Sequence, residues 1–501
     1  MHSTIMLKTS LIFVGIAFIA ILLADLEVST QHPWSEMGRM VEGVFTPDLP
    51  VVWEFKSSLL NTVIFALCGT FLGAVLGIGL AFFFQYMPVR LFCAFIRAIH
   101  EIFWAFIFLP VVGLNSICGI LAIAIPYAGI FAKVYAEIIQ ESDQQPLEGI
   151  PNEAHRLSRF FYGVLPVIYA DTKHYTAYRF ECALRSSAIL GFIGLPTLGY
   201  HLETFFTEGM YSEAATLLIT FYLLIASLKY WLKPRLAPVY IVLAFVLLSR
   251  EVSLSWENVA RFFTYEILPW PMRRQGIRDG TYAVSFVAIP LWEWVKEIWL
   301  EEAWEGIWKT VVLTQIVLVG TGFFSLFSFP FACCHFAGKT TSRIWHYLLI
   351  VFRTTPEYIF AYIFLTLWGP SMLPAVWAIL LHNGAILAFL SSNNADLVQL
   401  RMDAPLKHIN RYFYEILPRI YGQFLAFLFY RWEVMMRESA ILGILGIYTL
   451  GFYIHSAISD DQIDKAILLI LFTAILNMGI DSISQRIRKR LKISTKLSIS
   501  S

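Results

Sequence analysis

The sequence predicts an all-α, polytopic membrane protein of about twelve transmembrane helices in two parallel repeats of about six. Three observations carry that prediction. Of 501 residues, 58% are hydrophobic and only 15% charged, against about 25% charged in soluble domains. Apolar runs near the ~20 residues that cross a bilayer recur along the whole length. Finally, "YRFECALRSSAILGFIGLPTLGY" at 178–200 returns as "YRWEVMMRESAILGILGIYTLGF" at 430–452. A stretch that long does not recur by chance; it marks an internal duplication.

The first repeat is assigned to 1–235. Its anchor helix, 7–24, holds the run "LIFVGIAFIAILLA", which lacks a convincing small-x-small cleavage site and reads as retained. A core at 53–232 follows, with apolar segments near 57–85, 91–110, 114–139, 163–195 and 214–232. Between the third and fourth of these lies "QESDQQPLEGIPNEAHRLSR", too polar for lipid; 140–165 is taken as a coupling segment.

The second repeat, 236–501, replays this order. An anchor helix at 237–249 leads into an outer loop at 250–303 and a core at 304–490. Apolar segments lie near 306–335, 343–369, 372–391, 416–446 and 463–481. The second polar break, "NNADLVQLRMDAPLKHINR", gives a coupling segment at 395–415. "RAIHEIFWAFIF" at 97–108 matches "RTTPEYIFAYIF" at 353–364, and both polar breaks end in Leu-Pro, where a new helix can start.

Basic residues set the orientation. Lys8, Arg90, Lys229, Lys233, Arg235, Lys339, Arg343 and the tail "RIRKRLK" fall on one side, with both polar breaks and both termini. That side reads as cytoplasmic. The halves then share one orientation, which makes them parallel repeats about an axis along the membrane normal.

Charges inside the apolar segments point to the pathway. Glu181 and Arg185, like Glu433 and Arg437, are four apart and share a helix face; Arg97/Glu101 and Arg353/Glu357 read as the same kind of pair in reverse order. Ionisable groups at that depth face protein or water rather than lipid, and arginine suits tetrahedral oxyanions through forked hydrogen bonds. Gly191, Gly194 and Gly199, with Gly443, Gly446 and Gly451, suit close helix approach or a bend. His201 and His455 read as residues near the outer surface. The six cysteines carry no CxxC or His/Cys pattern and read as buried packing residues; no metal site is expected.

These motifs resemble the inner-membrane permeases of ATP-driven (ABC) importers, and within them the phosphonate-importer permease group. "ECALRSSAILGFIG" and "EVMMRESAILGILG" both fit that group's helix after the coupling segment. The resemblance implies coupling contacts from Glu148, Glu153, Ala154, Arg156 and Pro166 in the first half and from Asp403, Pro405, Lys407 and Pro418 in the second. The superfamily's Gly position is occupied by Glu153 and Pro405, and the second segment has no matching Glu. It also implies a cytoplasmic ABC ATPase dimer, a periplasmic substrate-binding protein, a bacterial inner membrane, and ATP consumed by the partner rather than bound here. No GxxxxGK[ST] loop occurs, in keeping with that division of labour.

The expected function is therefore a non-enzymatic permease subunit importing a phosphonate or related phosphorus oxyanion. An ion-coupled secondary transporter using Glu181 and Glu433 is the alternative, and it leaves the paired coupling segments unexplained. The absence of HExxH and GxSxG patterns argues against a membrane enzyme, and nothing points to nucleic acid.

Overall fold

The computed structural model describes residues 2–29, 33–142, 155–248, 255–273, 288–401 and 408–491. The regular elements among them are helices. The principal ones are α1 (His2–Leu23), α2 (Lys56–Phe82), α3 (Met87–Ala98), α4 (Glu101–Val112), α5 (Ser116–Glu141), α6 (Leu165–Ile189), α7 (Leu198–Glu208) and α8 (Tyr211–Trp231), followed by α9 (Ala237–Leu247). The second half supplies α10 (Trp304–Ala332), α11 (Lys339–Thr354), α12 (Glu357–Trp368), α13 (Met372–Asp396), α14 (Leu417–Leu442), α15 (Leu450–Ser459) and α16 (Ile463–Arg490).

Seven helices among the described residues are long and apolar enough to cross a membrane, or up to ten if each of three bent pairs is one span. The expected twelve falls short at two segments. Helix α9 has 11 residues, about 16 Å against a hydrocarbon core of about 30 Å. Helix α14 is long enough but carries Arg419, Arg431, Glu433, Arg437 and Glu438. The chain is a multi-pass membrane protein.

The bent pairs are a second departure. Helices α3 and α4 meet at 91°, as do α11 and α12. Residues Ile99 and Thr355 are extended at the corners, so Arg97 and Glu101, or Arg353 and Glu357, stand on different helices. Part of the expected loop is also helical. Ala288–Ile298 continues through a π turn into α10, giving one span from Pro290 to Ala332. Its exposed Trp292, Trp304 and Trp308 suit a membrane–water boundary.

By contacts the chain forms two compact units, one of 40–268 and one of 1–39 with 269–501. In the first, α2 lies along α5, and Gly69, Gly73 and Gly77 at four-residue spacing admit Ile123, Tyr127 and Phe131, the small-residue seam of membrane helix pairs. Helix α9 packs on α2. In the other unit α10 pairs with α13, and α1 lies against α10. Phe13 meets the rings of Phe429 and Trp432 at 5.2 and 5.5 Å. The Ser10 and Tyr421 hydroxyls are 2.7 Å apart, and the Met372 N–H donates to the Asp25 carbonyl at 2.9 Å. Each core thus carries the anchor helix written in the other half of the sequence.

Cys68, Cys93, Cys118 and Cys333 are buried, Cys182 is half-buried and Cys334 is exposed, so the packing account fails for Cys334. In the folded, detergent-solubilised protein a maleimide should modify Cys334 first. Cys68 and Cys118 should react only after denaturation, which peptide mass mapping would read directly.

Candidate substrate pathway and coupling segments

The repeated motif folds the same way twice. After α6 the chain turns through Leu190–Ile193 and a left-handed Gly194 (φ 88°) into α7; after α14 it turns through Gly446 (φ 83°) into α15. A Cβ on Gly199 would lie 1.7 Å from the Ala188 carbonyl oxygen, and one on Gly191 2.1 Å from the Tyr200 nitrogen. Gly451 against Ala440 and Gly443 against Phe452 repeat this at 2.0 and 2.1 Å. The glycines are there for backbone contact. A threonine from the neighbouring helix closes each elbow: Leu198 N–H donates to Thr62 Oγ1 at 2.9 Å and Leu450 N–H to Thr310 Oγ1 at 3.0 Å. Those threonines serve as external caps for donors that a helix start leaves open. His201 is less exposed than the sequence suggests, with Nε2 2.8 Å from the Ser58 hydroxyl.

The charged residues on α6 and α14 make contacts beyond the four-residue pairs the sequence suggests. Arg185 Nη2 contacts Cys182 Sγ at 3.4 Å, Glu433 is buried, and the Arg437 Nε is buried without a hydrogen-bond partner. A further pairing uses Arg431, two turns before Glu438. Arg431 Nη2 lies 3.3 Å from Glu438 Oε1, and Nε donates to Asn383 Oδ1 at 2.7 Å. The Asn383 amide donates to the other Glu438 oxygen. Sequence reasoning passed over this group because it tested four-residue spacing, although seven also returns to the same helix face.

Glu357 and His382 complete the cluster: with Glu438 they bring one ligand atom each within 4.8 Å of one another, all three residues buried. His382 Nδ1 donates to the Thr355 carbonyl at 2.9 Å. Both Glu438 oxygens already accept bonds, and Arg431 supplies the balancing charge. A divalent cation here would face that guanidinium. In the first half Glu101 stands where Glu357 does, at the N-terminus of the helix after the 91° corner, where the helix dipole favours a carboxylate. Its histidine comes from a different position: His100 Nε2 is 3.4 Å from Glu101 Oε2. His100 aligns with Pro356, and Pro126 with His382. The two halves have each placed a histidine beside the elbow glutamate by exchanging where histidine and proline stand.

Of the expected coupling residues, Glu148, Glu153, Ala154, Asp403, Pro405 and Lys407 lie outside the described residues, as does the Arg156 side chain. Pro166 and Pro418 sit in the first turn of α6 and α14, but neither Leu-Pro begins the helix. A short turn, Arg156–Arg159 or His408–Arg411, and a π turn, Phe160–Val164 or Tyr412–Ile416, precede it. Proline removes one N–H from the ladder, and a π turn is where a helix absorbs such a defect. In the second half a carboxylate ties this approach down. Buried Glu415 accepts from the Arg401 N–H at 3.2 Å and from Arg419 Nη1 at 3.2 Å; Gly163 holds the matching position.

Two outcomes follow. Gly199→Ala or Gly451→Ala should prevent the elbow from closing and give little folded protein by size-exclusion chromatography. Glu438→Leu should lower stability by about 3–5 kcal/mol by leaving Arg431 uncompensated, whereas Arg431→Met with Glu438→Leu should recover most of that loss. Denaturant unfolding in detergent measures both.

Comparison with known proteins agrees with this architecture. A family model described as the binding-protein-dependent transport system inner membrane component matches residues 325–493. The chain is 23% identical over 475 residues to the phosphate-import permease protein PhnE of Mycolicibacterium smegmatis, covering 86% of this chain and 84% of that protein. It is 29% identical to the putative phosphite transport system permease protein HtxE of Stutzerimonas stutzeri, over 28% of this chain and 55% of that one. With the putative cryptic phosphonate transport system permease protein PhnE2 of Escherichia coli K12 it shares 34% over 83 residues, 16% of this chain and 68% of the relative. No solved structure matches it. With two copies of the elbow motif, each behind a polar break, the chain belongs to the binding-protein-dependent inner-membrane transport components, in the phosphonate-importer permease group.

Proposed function

We propose that this chain supplies both permease halves of an ATP-driven importer for a tetrahedral phosphorus oxyanion, in one polypeptide, working by alternating access. The observation that carries the reading is the elbow built twice, by the same glycines and threonines, behind two cytoplasmic polar segments. Relatives named for phosphate, phosphite and phosphonate transport support the substrate class. The chain sits in the bacterial inner membrane with both termini in the cytoplasm, where the basic tail and both polar segments lie. Segments 140–165 and 395–415 receive an ABC ATPase dimer, and a periplasmic binding protein delivers substrate. Glu148, Glu153, Ala154, Arg156 and Pro166, with Asp403, Pro405, Lys407 and Pro418, make the ATPase contacts. Glu181, Arg185, Gly191 and Gly194, with Glu433, Arg437, Gly443 and Gly446, belong to the substrate pathway. ATP is bound and hydrolysed by the partner.

The two coupling segments are unequal in this proposal. Glu415 fixes the second approach and glycine stands at the matching position of the first, so Glu415→Ala should weaken co-purification of the ATPase more than Gly163→Ala does.

A bacterium stripped of its own phosphate, phosphite and phosphonate importers supplies the main test. It would carry this chain with its neighbouring ATPase and binding protein, and grow on one phosphorus source at a time. Growth on at least one of phosphate, phosphite or 2-aminoethylphosphonate is expected. Growth on none of them contradicts the substrate assignment.

A further inference from the structure

The duplication allows one half to be read against the other at a single arginine. Arg431 has a carboxylate and an amide oxygen within hydrogen-bond reach, so its charge is met inside the protein. Its counterpart is Arg179. The residue matching Glu438 is Ser186, and the residue matching Asn383 is Tyr127. Both acceptors have been replaced, and the guanidinium has been kept.

What surrounds Arg179 is aromatic. Its guanidinium lies 5.1 Å from the Tyr127 ring centre and 5.9 Å from that of Tyr175. Ring faces steady a cation but take up none of its five N–H donors, and Nε is buried with no hydrogen-bond partner. Among the described residues no carboxylate pairs with Arg179. Nor does its own helix offer one: the residues one turn away are Tyr175, Thr176, Cys182 and Ala183, and Glu181, two residues on, points to another face. Arg437, whose Nε is also buried without a partner, differs in having Glu433 one turn away. Arg179 stands about 20 Å along the helix from Pro166, at a depth where an unbalanced cation is costly unless an anion or water reaches it.

We propose that Arg179 is the guanidinium that receives the phosphorus oxyanion in transit, while Arg431, neutralised by Glu438, holds the second half together. This rests on the phosphorus-oxyanion reading given above. The fork of a guanidinium matches two oxygens of a tetrahedral anion; the hydroxyls of Ser186 and Tyr127 are 3.5 Å apart, and that of Ser186 also reaches the Glu101 carboxylate at 3.4 Å. A single arginine with a carboxylate one hydroxyl away, Glu101 behind Ser186, holds an anion briefly, as a passage site must, and leaves tight recognition to the binding protein. The pathway is then asymmetric in charge although its scaffold is duplicated.

The test uses the whole importer in proteoliposomes, with ATPase, binding protein and radiolabelled phosphate, phosphite or 2-aminoethylphosphonate. Arg179→Met should cut the maximal uptake rate at least about tenfold with no fall in unfolding temperature, and Arg179→Lys should restore part of the rate. Ser186→Glu, which rebuilds the pair of the second half, should lower uptake as Arg179→Met does. Arg431→Met should instead lower the unfolding temperature. Wild-type uptake by Arg179→Met overturns the proposal and leaves the importer reading standing. Loss of folded protein in both Arg179 variants, without rescue by lysine, also overturns it, because the residue then only packs. If the wild-type importer moves none of the three anions, the reading beneath fails first and takes the proposal with it.

Discussion

The tightest constraint in each half is backbone lying on backbone at the elbow after the long charged helix. Gly199 rests on the Ala188 carbonyl and Gly451 on that of Ala440, at separations where a methyl group has no room. That contact bends the chain, by 57° between α6 and α7, and the bend sets where α7 and α15 begin. Thr62 and Thr310 cap those starts from α2 and α10, so a second helix is locked to the elbow. Helix α5 is bound to α2 through a seam of glycines. The core of the first unit follows from these contacts in sequence. A change at the elbow would move the helices packed on it.

On this duplicated scaffold the polar chemistry has diverged. The elbow glutamates, Glu101 and Glu357, occupy equivalent places, but the histidines beside them come from different positions. Arg431 is balanced by Glu438 and Asn383; Arg179 has aromatic rings instead. Glu415 braces the approach to α14, and Gly163 leaves the approach to α6 without it. Backbone contacts tolerate almost no substitution, because a Cβ has nowhere to go. Side-chain networks can be rebuilt in one half without unfolding the other.

Much of this was legible in the sequence because the duplication is strong and apolar periodicity is a robust signal. The membrane class, the two halves, the polar breaks and the elbow glycines are all visible there. The 91° corners are not: apolar character runs straight through Ile99–His100 and Thr355–Pro356, so a continuous helix was the natural reading. The partners of α1 and α9 were hidden for another reason. An apolar helix with no polar face fits lipid or any apolar groove, and nothing in "LIFVGIAFIAILLA" names the core it packs on. The Arg431–Glu438 pair was within reach, since a seven-residue spacing is two helical turns, but only the four-residue spacing was tested.

The central claim is that transport through this chain is driven by a partner ATPase. The most direct measurement is uptake of labelled phosphate, phosphite and 2-aminoethylphosphonate into proteoliposomes holding the chain, its ATPase and its binding protein, with ATP inside or outside the lumen compartment that the ATPase faces. The account predicts uptake of at least one of these anions only when ATP and a hydrolysis-competent ATPase are present together. Uptake that persists with a hydrolysis-dead ATPase and follows an imposed proton gradient would contradict it.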